Sequence, residues 1–402
     1  MKFRFVLAAL ALGGSLCCGQ QSQKPEVLFS GPPHPKTATE PAQATRVSDA
    51  ERQAVAITAW DLDVHLTPRD QSLEAHARVT LHNAGKEPLN LIPLQLSSTL
   101  HFETIGVQGR RLPFSTAKLN SDTDHTGQLI EADIQPPAAL VPGGTLTLDV
   151  DYGGEVELTA QRLLAIGAPE ARAQASDWDR ISTDFTGMRG FGNVVWYPVA
   201  SVPAVLGDGA RVFHEIGRQK LLDQNATMAL RITDEFLDQP PNVAILNGDY
   251  VPLDHPTSMP TASFPGVITA SLAARRIGFD VPSLFLARRS ETSGHGVRVL
   301  ATNADAQYAQ NCTGAAATIE PLLRRWLGSA PSSPATILEL PEADDDPAET
   351  GNVLLTPLSG EQSGRLASAL AHALAHAAFR SPRAWLNEGV ASFLGNLWID
   401  ST

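Results

Sequence analysis

Cysteine is scarce: the 402 residues hold three, and two of them, Cys17 and Cys18, are adjacent near the start. Once a leader ending there is removed, Cys312 is the one thiol left, so no disulfide framework is available even in an oxidising compartment, and Cys312 reads as a small buried apolar residue. Basic residues are outnumbered, 30 against 43 acidic, and form no run, which excludes nucleic acid and an anionic membrane surface as partners because both need clustered Lys and Arg. Long apolar runs are missing too. The longest candidate, Phe5 to Leu16, is too short to span a bilayer, so no transmembrane span is expected. No Gly-x-Ser-x-Gly segment, phosphate-binding loop or dinucleotide fingerprint stands out, which removes support for a serine hydrolase, a nucleotide hydrolase or a dehydrogenase.

What is present begins with Met1-Lys2-Phe3-Arg4 and the apolar stretch behind it, the pattern of an export signal over residues 1–19. Two outcomes stay open: lipid attachment at Cys17 or Cys18, for which Gly14-Ser15-Leu16 is a poor match, and cleavage near Gly19. Residues 20–50, rich in Gln, Pro, Ser, Thr and Ala, read as a flexible tether. The expected location is therefore exported, periplasmic or extracellular, with or without a lipid anchor.

Residues 51–284 show repeated period-two alternation, at Trp60 to Leu66, Ala75 to His82, Leu89 to Leu96 and Thr145 to Tyr152, with turns at Asn83-Ala84-Gly85 and Pro142-Gly143-Gly144. This predicts half-buried antiparallel strands, completed by a segment from Trp178 to Phe285. Residues 285–402 change character. Asn303 to Gly328 is apolar at helical spacing, Thr336 to Leu340 is strand-like, and Gly364 to Phe379 and Trp385 to Trp398 are helical, which predicts an α+β unit.

The chemistry lies in that last unit. His372 and His376 are four residues apart, so one helical face can present two imidazoles to one ion, the metal half of a His-Glu-x-x-His site. The residue that would hold the metal-bound water and take its proton is Ala373, which can do neither. Downstream, the segment Trp385-Leu386-Asn387-Glu388-Gly389-Val390-Ala391-Ser392 opens a second helix and presents Glu388, separated from His376 by eleven residues, as a third ligand. His34, His65, His76, His82, His101, His214, His255 and His295 lack metal spacing and read as ordinary surface or packed residues.

His372, His376 and the Trp-Leu-Asn-Glu-Gly-x-Ala-Ser segment together resemble the gluzincin zinc metallopeptidases, specifically the aminopeptidase N-like family, although the interval between His376 and Glu388 is shorter than in that family. The resemblance implies Zn2+ held by His372, His376 and Glu388, peptides as ligand or substrate, and an α+β multidomain fold: an N-terminal antiparallel β domain followed by a partial thermolysin-like α+β metallopeptidase domain. It also implies a substrate-amine role for Glu349, which lies 23 residues before His372 where the family carries a glutamate that binds the free amino terminus. The bland alternative for Glu349 is a solvated acidic turn from Glu342 to Glu349. The family's distal tyrosine has no counterpart here, since Tyr152, Tyr197, Tyr250 and Tyr308 all precede His372, and Thr402 comes fourteen residues after Glu388. Either a truncated family member or a partner protein covering the apolar C-terminal helix is expected on that account. Three functions stay open: a metal-binding homologue with impaired or lost peptide hydrolysis, an active metallopeptidase using a base such as Glu349 or Glu361, and a non-catalytic protein that binds through its β domain.

Overall fold

The structure, a computed structural model, describes residues 46–328, 334–359, 363–379, 381 and 383–401. The expected signal peptide, with Cys17 and Cys18, and the tether up to residue 45 lie outside the described residues, as does Glu361. The described residues begin before the expected end of the tether. Ser48 caps the helix Asp49–Ala54 in a reciprocal box with Glu51, and Arg52 donates to both oxygens of the buried Glu131 at 2.7 Å.

The alternating stretches form a seven-stranded sheet, in spatial order Gly266–Arg276, Thr227–Phe236, Val55–Thr67, Ser72–Asn83, Thr145–Glu155, Leu100–Val107 and Arg110–Arg111. Trp60, Leu62, Val64 and Leu66 point inward, while Asp61 and Asp63 face solvent. Leu62 pairs with Ala77 and Val64 with Ala75, so one face of both strands is apolar. One pairing departs from the antiparallel expectation: Val55–Thr67 and Thr227–Phe236 run parallel. Parallel neighbours need a crossover, and the chain supplies one of some 160 residues between Thr67 and Thr227. Within it lies a three-stranded sheet, Ile92–Ser97, Gln128–Ile134 and Phe114–Asn120, packed over the first.

The helix Arg211–Asp223 and the short helices Gln161–Ala165 and Glu170–Ser176 were not expected in this all-β stretch. A four-stranded sheet, Asp249–Val251, Val243–Leu246, Leu284–Ala287 and Phe185–Met188, follows. Its strand Leu284–Ala287 straddles the expected junction at 284/285, because it pairs with Val243–Leu246 and Phe185–Met188 on both sides.

The rest is α+β. Five strands in the order Ser290–Gly294, Val297–Ala301, Ala335–Glu339, Val353–Thr356 and Ala348–Thr350 carry the helices Ala306–Leu327, Ser363–Ala378 and Ala384–Ser401. The central pairings are parallel and the two edges antiparallel. Leu370, Leu374 and Leu394 from the last two helices share one apolar cluster with Ile319, Leu323 and Ile337. That packing aligns the two helices that carry the predicted ligands. Among the described residues no helix is long and apolar enough to cross a membrane.

Candidate metal centre

Alanine and leucine dominate Ser363–Ala378, so a long helix forms and its small side chains allow close approach to Ala384–Ser401. His372 and His376 project from the same face, with ring centroids 4.7 Å apart and Nε2 atoms 3.0 Å apart. His376 is buried and His372 half-buried. Glu388, in the first turns of the next helix, places Oε2 3.7 Å from His372 Nε2 and 3.5 Å from His376 Nε2. The shortened interval after His376 therefore still lets the carboxylate reach both imidazoles.

Glu349 joins from the strand Ala348–Thr350, with Oε2 3.2 Å from His372 Nε2. Glu342, Asp344 and Glu349 in the acidic stretch are exposed, and the stretch ends in a strand. Asp345 is buried, Trp178 Nε1 donates to the Asp346 carbonyl at 2.9 Å, and Ala348–Thr350 pairs with Val353–Thr356. The structure thus brings together His372, His376, Glu388 and Glu349. Among the described residues, Glu349, His372 and His376 form a group whose ligand atoms lie within 4.8 Å of one another.

The donor set fits zinc. Bonds of about 2.0–2.2 Å to N and O ligands in a tetrahedron put neighbouring ligand atoms about 3.3–3.6 Å apart. The separations here are 3.0, 3.5 and 3.7 Å. Electrostatics point the same way: hydrogen bonds to Glu349 and then Glu388 raise the His372 pKa to about 9, and His372 and His376 hold the Glu388 carboxyl far below the usual carboxylate range. Two carboxylates draw one positive charge to this point, which a proton or a metal ion supplies.

Sequence reasoning missed Asn387, whose amide lies 3.2 Å from His376 Nδ1 and accepts from Ser381 N–H at 3.2 Å. The Asn387 Nδ2 end faces His376 Nδ1 while Oδ1 is held by Ser381 N–H, and this contact orients the imidazole ring. Its place beside Glu388 in the Leu-Asn-Glu segment was the available signal. Ala373, where the sequence motif leads one to expect the base, is 3% exposed and belongs to the apolar cluster with Leu370 and Leu374. No proton acceptor stands there.

A cleft of about 600 Å3 opens over the centre. Its metal side includes Glu349, His376 and Glu388, and the β unit contributes Lys220, Arg276 and Asp280. The two units meet at this cleft through backbone. Gly351 (φ +58) abuts Gly248 (φ +75), where an added Cβ on Gly248 would lie 3.1 Å from Gly351 Cα, and Gly351 N–H donates to Asp280 Oδ1 at 3.0 Å.

No protein-family model matches the chain, and no curated protein matches it. Solved structures do. An M1 zinc metallopeptidase from Deinococcus radiodurans is 18% identical over 87% of this chain and 71% of its own, with a TM-score of 0.51. A variant of an M1 zinc metallopeptidase from the same organism, 18% identical, covers 87% of this chain and 72% of its own at a TM-score of 0.49. The first likeness shows that the chain has the fold of an M1 zinc metallopeptidase.

Proposed function

We propose that this chain is an exported, aminopeptidase-like zinc metallopeptidase homologue that holds Zn2+ through His372, His376 and Glu388 and accepts peptides, with hydrolysis impaired or lost. The observation that carries the reading is the convergence of the two Nε2 atoms and the Glu388 carboxylate within 3.0–3.7 Å beside a position, Ala373, that has no proton acceptor. Bound zinc supplies Lewis acidity toward a carbonyl and acidifies water. The chain's own residues bind and orient: Glu349 accepts from the amine of a peptide, and Asn387 sets the His376 ring. A positioned base typically adds about 10²–10⁴ in rate, and that contribution is what Ala373 withholds.

The basic, apolar start Met1 to Leu16 supports export. Trp385, Phe393 and Ile399, half or more exposed on Ala384–Ser401, suit a surface covered by a partner. Glu349, 3.2 Å from His372, favours a second reading in which it acts as the base of a working hydrolase.

Metal analysis of purified protein together with aminoacyl and peptide hydrolysis by wild type, His372→Ala and Glu349→Gln tests both. Zinc near one per chain with hydrolysis no greater than in His372→Ala is the expected result. Robust cleavage that His372→Ala abolishes overturns the impaired reading, and its loss in Glu349→Gln with zinc retained selects the second. Absence of zinc defeats both.

A further inference from the structure

We infer that Lys220 and Arg276 form a carboxylate-binding subsite in the metal cleft, so that the cleft selects short peptides with a free carboxyl end. This rests on the reading of the cleft as a peptide site. The cavity walls differ in charge: Glu349 and Glu388 line it from the metal-bearing unit, and two cations, Lys220 and Arg276, with one carboxylate, Asp280, line it from the β unit. A zwitterionic peptide presents the complementary pair, an amine for Glu349 and a carboxylate for the cations.

The two cations differ from others in this acidic protein. Arg52 is paired with Glu131, Arg162 with Asp177, Arg189 with Asp179 and Arg218 with Glu215. Among the described residues neither Lys220 nor Arg276 has a carboxylate partner, and Asp280, on the same cleft, accepts from Gly351 N–H instead. Lys220 is half-buried near the end of Arg211–Asp223, and Arg276 closes the strand Gly266–Arg276, where it pairs with Thr227. Both are thus mounted on regular elements, and the Gly248–Gly351 contact together with the Ser283–Thr350 hydroxyl pair at 3.1 Å holds the β unit against the strand that carries Glu349. A cavity of about 600 Å3 falls within the roughly 300–1,000 Å3 typical of small-ligand sites. Charge-assisted bonds to a ligand carboxylate are the strong kind, and an Arg offers two parallel donors to it.

The test is calorimetric binding of Ala-Ala-Ala and of its C-terminal amide to the zinc-loaded full chain, with zinc content measured separately. The free acid should bind about tenfold more tightly than the amide, the size of one charge-assisted contact at a partly exposed site. In the double variant Lys220→Met with Arg276→Gln the acid should fall to the affinity of the amide, with amide binding unchanged. Equal affinities of acid and amide for the wild type, or binding of neither, overturn the subsite, and that comparison needs no variant. Acid preference in protein that carries no zinc supports the subsite while defeating the metal reading, so the two fail separately.

Discussion

Glu388 and Glu349 stand on opposite sides of the question of which carboxylate holds the metal, and converting each to its amide separates them. Glu388 Oε2 is 3.7 Å and 3.5 Å from the two imidazole Nε2 atoms and Glu349 Oε2 is 3.2 Å from His372 Nε2, all close to the edge of a tetrahedron around one ion, and the proposed assignment gives the ligand role to Glu388. Under the proposed assignment Glu388→Gln removes an anionic ligand, and Glu349→Gln removes a neighbour of a ligand. Loss of such outer partners typically weakens metal sites about 10–100-fold, which bounds the effect of Glu349→Gln. Glu388→Gln should exceed that bound and cost about 10³-fold or more, equivalent to about 4 kcal/mol. Competition with a chromophoric chelator at neutral pH, with metal content after dialysis as a check, reads both constants. Zinc retained by Glu388→Gln and shed by Glu349→Gln would invert the assignment. Small, equal losses in both would refute the three-ligand centre.

Two further outcomes are expected. Burial, and then the neighbouring Glu235, raises the Asp234 pKa to about 7, and Asp234 Oδ1 has no hydrogen-bond partner among the described residues. The folded state therefore holds that proton more tightly than the unfolded chain, and stability is lost as pH rises from about 4 through about 7, at about 1.4 kcal/mol per pH unit in that window. Asp234→Asn should be about 2–4 kcal/mol more stable than wild type at pH 8, with the gain shrinking toward zero near pH 4; urea melts showing the same difference at both ends would reject this account. Ala373→Glu puts a carboxylate into a position 3% exposed within an apolar cluster, so it should lose about 1–3 kcal/mol of stability and gain less than tenfold in peptide hydrolysis. A gain of a hundredfold with an unchanged melting temperature would show that the base was the sole deficit.

Local pattern was legible and non-local pairing was not. Helical spacing of His372 and His376, and the Trp-Leu-Asn-Glu segment, led to two helices found at Ser363–Ala378 and Ala384–Ser401. Alternation at Trp60 to Leu66 led to a strand because each outward Asp is flanked by buried apolar residues. The parallel neighbour of that strand was invisible, since nothing near Trp60 encodes a partner some 170 residues away. Arg211–Asp223 escaped notice because its apolar residues face outward as well as inward: Phe213, Leu221 and Leu222 are exposed. Ala348–Thr350 is three residues long and exists through its ladder with Val353–Thr356, so the acidic stretch advertised solvent rather than an edge strand. Lys220 and Arg276 reach the cleft from other elements and carried no local sign of it.

The centre also explains how ligands and base can have different fates. Glu349, His372, His376 and Glu388 come from one strand and two helices, and Ser381 N–H is tied to the same group through Asn387. His376 is buried and His372 half-buried, whereas Glu349 and Glu388 are exposed, so losing the counter-charge costs the fold most at the two imidazoles. The side chain at 373 makes no such link. Ala373 fills apolar space beside Leu370 and Leu374. In the proposed reading, alanine at 373 is therefore compatible with the packing of this unit, while His372 and His376 are held between its two helices and the strand that carries Glu349.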